Sequence, residues 1–342
     1  MVGSCERMIH SMIAVIGSGS WATAIVKILQ ENSPQRVNWW ARSRDVAEGI
    51  ASTGHNPRHL SNVELNPAAL CVSDDLRAVV EASDTLLLAV PSAYIDSVLS
   101  QLPKEALRGH RIVSAVKGTL PDCCMSVSQY IEKQFNVPPD DICVVSGPSH
   151  AEEVAHCMPT YLTAASRNEA LARDVAGRLC CSYIFTSVST DIDGVERCGL
   201  AKNIYAIAAG ICRGLGYGDN LNAVLTAAAI REMNDLLKHN LPFPGRNILD
   251  NCYLGDLTVT CWSLHSRNRA LGEAVARGEK PETVFAHTGS IAEGYYSVRN
   301  LHRIAKSHGM TGRIPVAEAV YRILYHNADP RQEMQHLIET VF

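Results

Sequence analysis

The chain has 342 residues, of which 46% are hydrophobic and 19% are charged, and its formal net charge is −4. This length favours two domains, and the weak negative charge argues against a nucleic-acid partner. No run reaches the ~20 apolar residues of a membrane span, and the N-terminus lacks the apolar core of a signal peptide. The twelve cysteines form no C-x-x-C pair. We therefore expect a cytoplasmic protein with neither disulfides nor a metal site.

A strand, a glycine turn and a helix follow one another near the N-terminus. Met12–Ile16 is a short β-rich run, residues 17–22 read GSGSWA, and apolar residues at helical spacing continue to Leu29. Gly17 permits the tight turn, Gly19 lets a pyrophosphate approach the backbone, and the helix N-terminus offers N–H groups to phosphate. The pattern predicts the opening of a dinucleotide-binding unit.

The second predicted strand, Val37–Ala41, ends in basic residues. Units that bind NAD often carry Asp or Glu at this place, where the carboxylate binds the ribose hydroxyls. Here Arg42 and Arg44 follow instead. They either accommodate a 2′-phosphate or are two solvated arginines in a loop. The choice between NAD and NADP stays open, with a slight preference for NADP.

The remaining pattern predicts an α/β half followed by a helical half. Apolar runs predict strands at 84–91, 111–116, 142–145, 161–165 and 183–187. Lys117 directly follows one of these strands and is expected at the ligand-binding edge of the sheet. We expect a flexible N-terminal extension over residues 1–11, a Rossmann-like doubly wound domain over 12–192, and an all-helical domain over 193–342.

Lys202 lies within an apolar helical segment that begins near Gly194. Its neighbours one turn away are small: Cys198, Gly199 and Ala206. Such a lysine either extends its ammonium to solvent, pairs with a structural carboxylate, or occupies a functional cleft.

Seven motifs occur in one order along nearly the whole chain. They are GSGSWATA (17–24), VKG (116–118), SGPSHAEEV (146–154), LAKN (200–203), GDLTVTC (255–261), SRNR (266–269) and AEG (292–294). Together they resemble the NAD(P)-dependent glycerol-3-phosphate dehydrogenases of bacterial type. Two departures stand out: Ala22 replaces a commoner glycine, and the GYGDN loop at 216–220 is unusual.

The resemblance implies a role for each matching residue. Lys202 is the implied general acid–base, and Lys117 and Asp256 complete the implied catalytic set. The implied substrate contacts are Lys117, Gly147, Ser149, Lys202, Asn203, Asp256, Thr260, Ser266, Arg267 and Asn268. The implied cofactor contacts are Gly17, Gly19, Ser20, Trp21, Arg42, Lys117, Ala151, Arg267, Ile291 and Glu293.

The resemblance also implies an activity, which interconverts dihydroxyacetone phosphate and sn-glycerol 3-phosphate with NAD(P)H and supplies glycerophospholipid synthesis. A homodimer is compatible with the helical half. One alternative is another two-domain dehydrogenase, acting on a β-hydroxy acid or a phosphorylated sugar acid. A second is a non-catalytic dinucleotide sensor. The thirteen histidines form no metal-binding pattern and are expected to be surface or core residues.

Overall fold

The computed structural model describes residues 12–32, 36–121 and 123–342. The predicted extension over residues 1–11 lies outside the described residues. The strands are β1 Ile13–Ile16, β2 Val37–Trp40, β3 Leu70–Ser73, β4 Thr85–Leu88, β5 Arg111–Ser114, β6 Ile142–Ser146, β7 Thr160–Ala165 and β8 Ile184–Ser189.

Fifteen α-helices accompany the sheet within the described ranges. Those of the sheet region are α1 Ser20–Asn32, α2 Arg44–Thr53, α3 Leu76–Glu81, α4 Ile95–Leu99, α5 Val127–Phe135, α6 Ala151–Ala155 and α7 Glu169–Leu179. The later ones are α8 Ile192–Gly214, α9 Asp219–Asn240, α10 Asp256–Trp262, α11 Arg267–Ala276, α12 Pro281–Thr288, α13 Glu293–Ser307, α14 Pro315–His326 and α15 Pro330–Thr340. No described helix is both long and apolar enough to cross a bilayer.

The strands form one sheet in the order β3-β2-β1-β4-β5-β6-β7-β8. The first six pair in parallel, and the order reverses beside β1, which makes a doubly wound sheet. Strand β7 pairs antiparallel to β6, with β8 parallel to β7. The apolar runs predicted both strands but contained no information about their direction. Ligands of such sheets bind at the carboxyl ends near the reversal, where Gly17 and Lys117 lie.

Gly17 has a conformation that the close packing at this reversal requires. Its φ is +123°, and a Cβ here would lie 2.8 Å from the carbonyl oxygen of Ala89. The indole Nε1 of Trp39 donates to the Gly17 carbonyl at 2.6 Å. Trp39 is fully buried, and this hydrogen bond fixes its ring against the turn.

Helix α8 is the central element of the helical region, and it is buried on nearly all sides. Its N-cap, Asp191, accepts from the Gly194 backbone at 3.2 Å. The same carboxylate accepts two hydrogen bonds from Arg246, at 2.6 and 2.8 Å, and one from Tyr253 at 2.6 Å. This buried network joins the start of α8 to the segment that precedes α10. The predicted domain division at 192/193 falls in the first turn of α8 and stays a prediction.

Candidate active site

Two lysines from different parts of the fold meet one carboxylate. Lys202, on α8, is 4% exposed and donates to Asp256 Oδ1. Lys117, from the turn after β5, places its Nζ 3.4 Å from the other oxygen, Asp256 Oδ2. That oxygen also accepts from Ser146 Oγ at 3.2 Å and from the Gly147 backbone at 3.3 Å. Lys202 therefore does not reach solvent, and its partner is a residue of the predicted site.

The cluster alters the acid–base properties of its members. Burial and the charge of Lys117 lower the pKa of Lys202, the charge of Asp256 raises it, and the net pKa is about 7. Burial acts to raise the pKa of Asp256, but the charges of Lys117 and Lys202 outweigh burial and keep this pKa below its usual value. Lys202 can thus exchange a proton near neutral pH while Asp256 stays ionised.

The turn after β6 holds Lys117 in place. Lys117 Nζ donates to the Gly147 carbonyl at 2.9 Å and to Ser149 Oγ at 3.2 Å. Gly147 has a φ of +128°, and a Cβ there would lie 2.5 Å from the carbonyl oxygen of Tyr161. Only glycine fits this position without displacing β7.

A chain of amide hydrogen bonds connects four segments beside the lysines. Asn203 Nδ2 donates to the Lys117 carbonyl at 2.8 Å, and Asn203 Oδ1 accepts from Asn268 Nδ2 at 2.9 Å. Asn268 Oδ1 accepts from the Gly294 backbone at 2.8 Å. Both predicted substrate residues are buried and already bonded to protein. They position the cluster, and a substrate contact by either one stays a prediction.

The N-terminus of α11 combines backbone donors with one exposed cation. Ser266 caps the helix by accepting from Arg269 N at 3.2 Å, so its hydroxyl oxygen is engaged within the protein. Thr260 is likewise engaged, because its Oγ1 donates to the Asp256 carbonyl at 2.6 Å. Arg267 is exposed and forms no hydrogen bond or ion pair with any described residue. Of the SRNR motif, Arg267 is the side chain best placed to bind an incoming anion.

The glycine turn after β1 fits a pyrophosphate. A Cβ on Gly19 would meet no atom within 4 Å, so the space beside its backbone is open. The backbone N–H groups of Ser20 and Trp21, at the start of α1, have no partner among the described residues. The Trp21 ring lies 5.9 Å from Lys117 Nζ, and its buried Nε1 is unpartnered. The backbone N–H groups of Ser20 and Trp21 would hold the pyrophosphate of a dinucleotide.

The two arginines after β2 have different surroundings. Arg44 is bonded to Glu48 one turn along α2, at 2.8 Å. Arg42 is exposed and has no hydrogen-bonding or ion-pairing partner in the described part of the chain. Arg42 is thus free to bind a 2′-phosphate, whereas Arg44 is already paired.

The predicted cofactor residues of the later segments are Ala151, Ile291 and Glu293. Glu293, the first residue of α13, accepts from the backbone N–H of Ser92 at 3.0 Å and from its hydroxyl. Burial raises the pKa of this carboxyl group. Ala151 is buried at the start of α6, and Ile291 is partly exposed just before α13. Glu293 therefore joins the helical region to the turn after β4.

Two histidines near the cleft are not distinguished by their sequence pattern. His150 lies beside the lysine cluster, where burial, then Lys202 and Lys117, lower its pKa to about 4. Burial and the charge of Arg267 also lower the pKa of His59. The prediction that the histidines are surface or core residues stays a prediction, but the structure makes His150 a further candidate site residue. Its place directly after Ser149, within SGPSHAEEV, was the available signal.

Metal ligands are absent from the described residues, which contain no cluster of three or more His, Cys, Asp or Glu side chains suited to an ion. The described cysteines are all free. Lys202 and Lys117 are the cationic side chains that meet at Asp256.

Comparisons with known proteins agree with this arrangement. Family models described as NAD-dependent glycerol-3-phosphate dehydrogenase N-terminus and C-terminus match residues 12–172 and 191–335. A Salinibacter ruber protein named glycerol-3-phosphate dehydrogenase (NAD(P)+) 1 is 37% identical over 329 residues, which are 96% of this chain and 95% of that protein.

Solved structures extend the comparison. A glycerol-3-phosphate dehydrogenase from Coxiella burnetii has a TM-score of 0.87 and 33% identity, covering 96% of this chain and 99% of that one. A ketopantoate reductase from Ralstonia eutropha JMP134 has a TM-score of 0.60 at 15% identity, covering 94% and 100%, and shares the fold alone. With close relatives matched over almost its whole length and the motifs assembled at one cleft, this chain belongs to the family of NAD-dependent glycerol-3-phosphate dehydrogenases.

Proposed function

We propose that the protein interconverts dihydroxyacetone phosphate and sn-glycerol 3-phosphate by hydride transfer with NAD(P)H. One observation carries the proposal: a lysine with a pKa of about 7 is buried against a carboxylate at the edge of a dinucleotide-binding sheet. A ketone reduction needs a proton donor at the carbonyl oxygen, and its reversal needs a base at the same place.

Lys202 performs both proton transfers in this mechanism. The bound nicotinamide supplies or accepts the hydride. In reduction, the Lys202 ammonium donates a hydrogen bond to the carbonyl oxygen and then the proton, which stabilises the developing alkoxide. In oxidation, neutral Lys202 removes the proton from the hydroxyl group. Asp256 holds the lysine in position, and Lys117 adds a second cation beside the reacting oxygen.

The phosphate of the substrate binds at the N-terminus of α11. Arg267 supplies a planar guanidinium with several donors, and the first N–H groups of the helix supply further ones. The hydroxyl group of Ser266 and the amide of Asn268 shape this end of the site. Ser149 and Gly147 form the opposite wall through their bonds to Lys117.

The experiment is a reduction assay with the purified protein and dihydroxyacetone phosphate, with NADH and NADPH supplied in parallel. Oxidation of the reduced cofactor is followed by its near-ultraviolet absorbance. Turnover with the phosphorylated ketone, and little with dihydroxyacetone at the same concentration, supports the proposal. If the protein binds cofactor but turns over neither ketone, the proposal is wrong.

The same assay separates the two alternatives. A dehydrogenase for β-hydroxy acids would oxidise members of an acid panel while ignoring glycerol 3-phosphate. A dinucleotide sensor would bind cofactor and transform nothing. The sensor is disfavoured because Lys117, Lys202 and Asp256 are all retained and all brought together.

Location and assembly belong to the same proposal. A cytoplasmic setting is supported by the free thiols of all described cysteines, and sn-glycerol 3-phosphate made there would enter glycerophospholipid synthesis. A homodimer is supported by exposed apolar side chains on the helical half, Leu249, Trp262 and Leu264. Light scattering of the purified protein measures the second point directly.

A further inference from the structure

His150 carries a buried polar atom for which the described residues provide no partner. Its Nε2 is covered and accepts or donates no hydrogen bond. Leaving such a group unpaired in the protein interior is destabilising. Native proteins keep few of these groups, and each of them calls for an explanation. His150 directly follows Ser149, which accepts a hydrogen bond from Lys117, and the charges of Lys202 and Lys117 act on its ring, so His150 lies beside the lysine cluster.

A second imidazole, that of His265, lies next to His150. The ring centroids of His150 and His265 are 5.9 Å apart, with 49° between the ring planes. His265 immediately precedes Ser266, the cap of α11, and its ring has no hydrogen bond to the described residues. One ring thus belongs to the turn after β6, and the other to the turn that leads to Arg267.

The charges around His150 favour a neutral ring. Lys202 and Lys117 lie close enough to act on it, and Asp256 and Glu152 oppose them more weakly. With a pKa of about 4, the free imidazole carries one N–H at neutral pH. The neutral ring of His150 therefore adds no further positive charge beside Lys202 and Lys117. A neutral donor at this point suits an anionic oxygen that other groups already neutralise.

We propose that His150 and His265, whose rings lie side by side next to the lysine cluster, both donate hydrogen bonds to the phosphate of the substrate. The inference rests on the proposed function. The pair supplements the charge of Arg267 with two neutral donors, and it makes recognition of the phosphate depend on both regions of the fold. Nothing in the family-derived set of contacts includes either histidine.

The test compares His150→Phe, which keeps a flat ring without nitrogen, with His150→Gln, whose amide nitrogen approximates Nε2. His336→Phe, on the exposed face of α15, is the matched control. Binding of inorganic phosphate is measured by calorimetry, and KM and kcat are measured with dihydroxyacetone phosphate and with dihydroxyacetone. Thermal melting and cofactor binding verify that each variant folds.

We expect His150→Phe to weaken phosphate binding and to raise KM for dihydroxyacetone phosphate about tenfold each, the loss of one hydrogen bond to a charged group. Its kcat should stay within about twofold, and its kcat/KM for dihydroxyacetone should not change. His150→Gln should retain most of the affinity, and His265→Phe should weaken phosphate binding in the same direction. Unchanged phosphate affinity in His150→Phe, or equal losses on both ketones, would overturn the inference. Calorimetry needs no turnover, so an inactive wild type would count against the proposed function alone.

Discussion

Replacing Asp256 by Asn should move the proton exchange of Lys202 to lower pH. In the wild type, burial, Asp256 and Lys117 together place the pKa of Lys202 at about 7. This is ~5 kcal/mol of discrimination against the ammonium at 1.36 kcal/mol per pKa unit. Asp256 is the one group among the leading causes that favours the charged form. When the charge of Asp256 is removed, burial and the charge of Lys117 lower the pKa of Lys202 without opposition.

The size of the effect follows from the charge separation. Two opposite unit charges ~4 Å apart attract each other by ~4 kcal/mol at an effective dielectric constant of ~20, which corresponds to ~3 pH units. Because water can enter the altered site, we expect the pKa of Lys202 to fall by about one to three pH units. Oxidation of glycerol 3-phosphate needs neutral Lys202, so its rate falls as pH decreases through the pKa. In a plot of the oxidation rate against pH, the rising limb should therefore move to lower pH in Asp256→Asn.

Reduction needs the ammonium, and at fixed neutral pH it should slow about tenfold for each pH unit by which the pKa of Lys202 falls. The assay is kcat/KM against pH in both directions, with cofactor binding as the check on folding. Asp250→Asn, which removes an exposed carboxylate hydrogen-bonded to Asn247 at 2.7 Å, is the matched control and should leave the profile in place. Lys202→Met should abolish the limb. An oxidation limb in Asp256→Asn that stays at the wild-type pH, or moves upward, would refute the reasoning.

Three further predictions concern arginines. Arg267→Gln should raise KM for dihydroxyacetone phosphate about 10- to 100-fold, because it removes charge-assisted hydrogen bonds to the phosphate. Cofactor binding, measured by fluorescence, should change little. Equal losses of affinity for the substrate and for the cofactor would contradict the assignment of Arg267 to the phosphate. Arg42→Ser should lower kcat/KM with NADPH at least about tenfold and leave kcat/KM with NADH unchanged. Arg44→Ser should change neither value, since Arg44 is paired with Glu48 of its own helix. Equal losses of kcat/KM with NADPH and NADH in Arg42→Ser would exclude recognition of the 2′-phosphate by Arg42. Arg246→Met, which strands a buried carboxylate, should lower the free energy of unfolding by ~3–5 kcal/mol in urea. The exposed ion pair lost in Arg167→Met should cost under ~1 kcal/mol, and similar losses in both variants would show that burial of the Arg246 pair contributes little.

Many residues of the site can be predicted from local sequence, because they lie at the ends of predicted strands and helices. The turn at Gly17–Gly19 and the position of Lys117 after an apolar strand both follow from patterns a few residues long. The buried helix around Lys202 also has a local signal in its small and apolar neighbours. These patterns indicate which residues border a cleft, whereas the partner of each residue depends on contacts between distant segments.

Lys202 shows where local patterns stop being sufficient. Its ammonium could have reached solvent, and its carboxylate partner is 54 residues away in sequence. Only the packing of α8 against α10 makes the pair, and only burial lowers the pKa of the lysine towards neutrality. The antiparallel direction of β7 and the bonded amide of Asn268 were equally inaccessible, since neither strand direction nor hydrogen-bond pairing has a one-dimensional signature.

The sequence by itself determined the family, the order of the elements and the chemical types of residue available at the cleft. The order of the motifs and the periodicity of apolar residues are properties of the sequence, and both can be read from it directly. Tertiary structure decided which of those residues are free to meet a ligand. Among the described residues, the side chains of Arg267 and Arg42 have no hydrogen-bonding partner, whereas those of Ser266 and Asn268 are hydrogen-bonded within the protein. Nε2 of His150 is buried without a partner there. Hydrogen-bond saturation and burial are sums over neighbours from many segments, so they exist only once the chain has folded.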